Sequence, residues 1–187
     1  MAVNENRIVK VTTNLFKGGT TPASNTYLTL TNGVPTNGAI HCGAIGSIGV
    51  SPGVEVAEKD SENQIATLGA SISKHTMEIT VRLREWTTEG LSWLMAGRRV
   101  GAGFFGGGTT QLEYAPLTVV WGLDEDAGLY AFFHAYKCYV SSPASLDPNK
   151  TDNTELEATF TAVADTTRDR NDPLYQLWCP EGYRDFM

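Results

Sequence analysis

Residues 101–108 read Gly-Ala-Gly-Phe-Phe-Gly-Gly-Gly. A glycine run can cradle phosphate, but a P-loop also needs the Lys and the hydroxyl of GxxxxGK[ST] to hold phosphate and magnesium. Thr109 and Thr110 follow Gly108 with no lysine, so no nucleotide cofactor is expected. Glu155 and Glu157 stand two apart and share one face of a strand. A glycosidase dyad has that form, but it needs one carboxyl in an apolar pocket to raise its pKa. Interleaved with Thr, this pair reads as a solvated acidic stripe. His41, His75 and His134 lack the short, face-sharing spacing of a metal ligand set, so no metal is expected. Cys42 follows His41, but adjacent strand residues point to opposite faces, which rules out a catalytic pair. There is no GxSxG elbow, and the acidic run Asp124-Glu125-Asp126 lacks the calcium-loop pattern. Trp86, Trp93, Trp121 and Tyr130 are the aromatic candidates for a carbohydrate-binding face. The reading is of a protein that is not an enzyme and carries no catalytic residue or cofactor.

With chemistry so sparse, the elements carry the argument. In residues 74–86, Met77, Ile79, Val81 and Leu83 alternate with Glu78, Thr80, Arg82 and Arg84. Period two predicts a strand with one apolar and one polar face. At Trp86 the period changes. Thr87 suits an N-cap, residues 88–96 read as a short helix, and Gly97 suits its stop. Leu91, Leu94 and Met95 fall on one helical face and are expected to seat the helix. Residues 154–164 alternate again, with Leu156, Ala158, Phe160 and Ala162 against Glu155, Glu157, Thr159 and Thr161.

Around these, residues 111–123 and 128–142 read as two long strands of a hairpin. Residues 39–49 suggest a buried strand with a bend. Pro52-Gly53 is expected to turn, and residues 54–58 form a further strand. Asn32-Gly33 and Asn37-Gly38 are turn dipeptides, and residues 1–38 look like an arm and loop more than core. Residues 101–108 are expected to be a flexible loop and 168–187 a tail. The predicted class is mainly β, a sandwich or barrel with one short flanking helix and long loops.

The 187 residues suit one domain. Charged residues make up 19 %, below the roughly 25 % usual for soluble domains, which suits surfaces buried in an assembly. A net charge of −7 argues against a surface that grips nucleic acid. Cys42, Cys138 and Cys179 are too far apart for a CxxC motif and read as reduced thiols. Neither a signal peptide nor a membrane span is expected.

One order of parts is familiar. Gly43-Ala44-Ile45-Gly46 precedes Val54-Glu55-Val56-Ala57-Glu58. Next come the alternating strand ending Val81-Arg82-Leu83-Arg84-Glu85-Trp86-Thr87, the short helix, a loop, an aromatic hairpin and the closing strand 155–165. Over residues 39–167 this resembles the tail tube (major tail) proteins of long-tailed bacteriophages. The resemblance implies a β-sandwich domain at 39–167, an N-terminal arm and loop at 1–38 and a C-terminal tail at 168–187. It implies homo-hexameric rings whose inner sheets join around a lumen and which stack into a virion tail tube. Double-stranded DNA would pass through without specific binding, and the tape measure, tail terminator and baseplate would be partners. Assembly would occur in the host cytoplasm, with no membrane involved.

On this reading an acidic lumen is lined by Glu155, Glu157, Thr159 and Thr161, or else by Glu78, Thr80, Arg82 and Arg84. The first set is favoured because two arginines would brake passing DNA, so Arg82 and Arg84 are expected to face a subunit contact or the exterior. Gly101, Phe104, Phe105 and Gly106 belong to an inter-subunit loop. The tube of a phage-derived secretion or bacteriocin device, and a carbohydrate-binding β-sandwich of a virion surface, are the alternatives.

Overall fold

The computed structural model describes residues 13–59, 69–100, 103–105, 112–124, 127–144, 155–169 and 174–180. In chain order the elements are β1 (Thr13–Lys17), β2 (Leu30–Thr31), β3 (Val34–Pro35), β4 (Ile40–Lys59), β5 (Gly69–Leu83) and α1 (Thr88–Leu94). There follow β6 (Arg98–Val100), β7 (Gly103–Phe105), β8 (Ala115–Asp124), β9 (Leu129–Ser142), β10 (Leu156–Ala162) and β11 (Tyr175–Trp178). The protein is mainly β with one short helix.

The main sheet runs β10-β5-β4-β1-β8-β9-β11, every pair antiparallel, and β10 also pairs with β9. That second pairing closes six strands into a barrel. Closure is possible because β9 is 14 residues long. Its first half, Phe132 to Ala135, holds β11, and its second half, Cys138 to Ser142, holds β10. A closed sheet leaves few unpaired edges.

The alternation seen in sequence decides what fills the barrel. Met77, Ile79, Val81 and Leu83 of β5 point inward and are almost wholly buried, as are Leu156, Ala158, Phe160 and Ala162 of β10. Val119, Phe133 and Ala135 join them from β8 and β9. α1 covers one end. Thr87 is its N-cap, accepting from the Gly90 amide at 3.1 Å, and the Thr87 hydroxyl donates to the His41 carbonyl at 2.9 Å. Trp93 is 1 % exposed and packs 4.6 Å from the Phe160 ring. The helix lies so close to β4 that a Cβ on Gly90 would sit 2.2 Å from the Cys42 carbonyl oxygen.

A second, smaller cluster lies on the outer face of the barrel. Phe16, Val120 and Phe132 are covered there by Leu28 from residues 18–39. Asn32 and Gly33 both take positive φ and form the two-residue turn between β2 and β3, as the dipeptide predicts. The Arg168 guanidinium sits 3.6 Å from the Tyr136 ring and donates to the Pro22 carbonyl.

Several expectations change. Residues 13–17 are not part of an arm: β1 lies between β4 and β8, with Leu15 in the barrel core and Phe16 in the outer cluster. Burial on both faces removes the alternation that marks a half-buried strand. Within the expected tail, β11 pairs with β9. Pro52-Gly53 does not turn. β4 runs through it for 20 residues, opposite Met77 and Thr76. β1 pairs with β4 only as far as Ala44, so among the described residues β4 is an edge strand at Pro52, the setting in which a sheet tolerates proline. The expected loop at 101–108 contains a strand: Phe104 and Phe105 lie on β7, paired with Arg99 and Arg98. Gly101 and Gly106 lie outside the described residues.

Candidate functional site

Glu155 and Glu157 and the neighbouring Arg82 and Arg84 were expected on different surfaces. They share one. β10 and β5 pair so that Glu157 is opposite Arg82, Thr159 opposite Thr80 and Thr161 opposite Glu78, and directly opposed residues project to the same side. The Arg82 guanidinium donates to the Glu157 carboxylate. Arg84 Nε lies 3.4 Å from Glu155 Oε1, and the Thr80 and Thr159 hydroxyls are 3.3 Å apart. β4 extends the face with Ser47 beside Arg82, Gly49 beside Thr80 and Ser51 beside Glu78. The separation of an acidic row from a basic row is therefore corrected by the strand register. Each arginine meets a glutamate, and Glu78 leaves one net negative charge among these five ionised groups. The face is polar, hydroxyl-rich and nearly neutral instead of acidic. Its ion pairs are about half exposed, where such pairs contribute roughly 0–1 kcal/mol each.

The helix residues divide. Leu94 is fully buried, while Leu91 and Met95 are partly buried against the same core. Trp93 was missed as a packing residue. Its position two residues from Leu91 is off the expected stripe, yet a helix lying across a barrel end buries a wider arc. Trp93 is thereby also removed from the carbohydrate-binding set. Trp86 and Trp121 are partly buried against the main core, and Tyr130 against the outer cluster.

The histidines stay apart. His41 Nε2 lies 3.1 Å from Asn14 Oδ1 at the surface, and His75 is exposed on β5. His134 is wholly buried, with Nδ1 2.8 Å from the Thr118 hydroxyl. Burial pushes its pKa down to about 4, and the Arg168 charge acts in the same direction. Among the described residues no group of three His, Cys, Asp or Glu is placed to hold a metal ion. The three cysteines are buried, and burial raises the Cys42 and Cys138 thiols to about 12, which suits packing and not nucleophilic attack.

Beyond the barrel, β4 and β5 continue as a two-stranded ribbon. β10 covers β5 only from Met77 onward, so residues 69–76 pair with β4 alone. On the inward side of β4, Val50 is 40 % exposed opposite Ile79, where β10 still covers β5, and Val54 is 51 % exposed on the ribbon opposite His75. On the opposite side of the barrel, two adjoining clefts of about 370 and 350 Å³ open between residues 25–32 and β11 and share Tyr27.

The chain matches no protein-family model, and no curated protein is similar to it. Among the described residues no helix is long and apolar enough to cross a membrane.

Proposed function

We propose that this chain is a structural subunit of the tail tube of a long-tailed bacteriophage. Copies form hexameric rings, the rings stack into a virion tube, and double-stranded DNA passes through the lumen without specific binding. The reading draws on the resemblance over residues 39–167. The observation that carries it is the β4–β5 ribbon, which runs on past β10 with no further strand beside it among the described residues and continues from the exposed Val50 and Val54 of β4. A two-stranded ribbon is marginal in water, and exposed edges invite pairing with another chain. A ribbon that meets a different surface on the next copy makes a heterologous contact, the kind that closes rings or extends filaments.

The polar face of β4, β5 and β10 suits a lumen for a reason other than repulsion. Arg82 and Arg84 are each held by a carboxylate, so neither is offered free to passing phosphates, and the hydroxyl rows present no strong binding group. The tape measure, tail terminator and baseplate proteins are the partners on this reading, with assembly in the host cytoplasm. Negative-stain electron microscopy of the purified protein tests it. Hollow tubes or six-fold rings are expected, and dispersed monomers at high concentration would overturn it.

A further inference from the structure

The paired clefts beside β11 suggest a role separate from tube formation. The first lies between Asn25–Tyr27 and Tyr175–Leu177 and the second continues past Tyr27 to Phe132 and Trp178. Three properties define them. Among the described residues their lining includes no charged side chain. Aromatic rings recur along both, and two of them stand open to solvent, Tyr27 at 58 % and Tyr175 at 42 % exposed. Amide side chains are interspersed: Asn25 and Gln176 in the first cleft and Asn32 in the second. The Gln176 amide nitrogen is buried behind the cleft wall and has no hydrogen-bond partner among the described residues.

We propose that this groove binds a neutral oligosaccharide. A pyranose ring offers an apolar C–H face that packs on tyrosine, and hydroxyls that match the paired donor and acceptor of an amide side chain. An uncharged lining gives no counter-charge to an anionic or cationic ligand. Each cleft lies at the small end of the volumes usual for ligand sites, and two in line fit consecutive sugars of a chain. The groove lies on the β9–β11 side, opposite the β4–β5–β10 face, so a ring with that face inward leaves it outward toward a glycan-bearing surface.

Saturation-transfer difference NMR on the full chain tests the proposal, with chitotriose, cellotriose, maltotriose and mannotriose as probes. Transfer to at least one trisaccharide is expected. It should weaken at least tenfold in Tyr175→Ala and in Tyr27→Ala. Both residues are exposed, so the folded state should persist, checked by an unchanged far-UV circular dichroism spectrum and melting temperature. No transfer to any of the four sugars would overturn the proposal. So would transfer that both variants leave unchanged, or saturable binding only of an uncharged aromatic tripeptide run in parallel. Tube formation in the microscope does not enter this readout, so the two readings fail separately.

Discussion

Two residues show how local chemistry sets stability here. The helix ends in a Schellman arrangement, with the Ala96 amide donating to the Trp93 carbonyl at 2.9 Å and the Gly97 amide to Ser92 at 2.8 Å. That motif puts its left-handed residue at Ala96, whose φ is +51°, and not at the glycine one position later that the sequence marks as the stop. An L-residue with a Cβ is strained there. Ala96→Gly is therefore expected to stabilise the protein by about 1 kcal/mol, read from chemical denaturation. His134 acts through pH. Its pKa of about 4 in the folded protein lies below the unfolded value of roughly 6.5. Between these values the unfolded chain binds more protons, so stability is full above about pH 6.5 and falls as the pH drops toward 4. A loss on the order of 3 kcal/mol across that window follows from the shift. Burial first, and the Arg168 charge second, favour the neutral ring; the Thr118 hydroxyl is its hydrogen-bond partner. In His134→Gln the same pH series should be markedly flatter, and an unchanged slope would assign the acid sensitivity to other groups.

At the scale of elements, α1 is a plug for the barrel end and not a site. Leu94 has no exposed surface, and its carbonyl accepts from the Ala144 amide at 2.9 Å, tying the helix to the end of β9. Leu94→Ala should cost about 2–5 kcal/mol, measured as a fall in the denaturation midpoint. A fall of under 1 kcal/mol would mean that the barrel end collapses around the gap. This helix, its cap at Thr87 and the strands β5 and β10 were legible in the sequence because each has one buried face and a clear period. β1 was not. Its Leu15 and Phe16 enter two different cores on opposite sides of the sheet, so no polar row marks it as a strand. The unbroken course of β4 was hidden because Pro52-Gly53 signals a turn, and only the absence of a neighbour beyond Ala44 makes that pair acceptable in a strand. The pairing of β10 with β5 was equally hidden, since alternation shows which residues share a face on one strand but not which strand lies beside it. That is why glutamates and arginines expected on separate surfaces meet on one. The clefts at Tyr27 and Tyr175 had no local signal, because their walls come from chain segments about 150 residues apart.

For the whole molecule, the ribbon is the part whose energetics remain incomplete in a single copy. The barrel buries its apolar face and closes its sheet, whereas β4 leaves Val50, opposite Ile79, and Val54, opposite His75 on the ribbon, exposed on the side that continues the core. If that face is completed by a neighbouring copy, a charge placed on it should block assembly and leave the fold intact. The double substitution Val50→Glu and Val54→Glu replaces two exposed residues, so its thermal stability should stay within about 1 kcal/mol of the parent. Two unpaired carboxylates in each contact would be desolvated on association, at a cost of several kcal/mol that a repeating contact multiplies around a ring. The expected result is a folded, monomeric protein by analytical ultracentrifugation, with no rings or tubes under the microscope at concentrations where the parent polymerises. Tubes of normal diameter from the double variant would show that the ribbon faces solvent in the assembly, and would move the contact to another surface of the barrel.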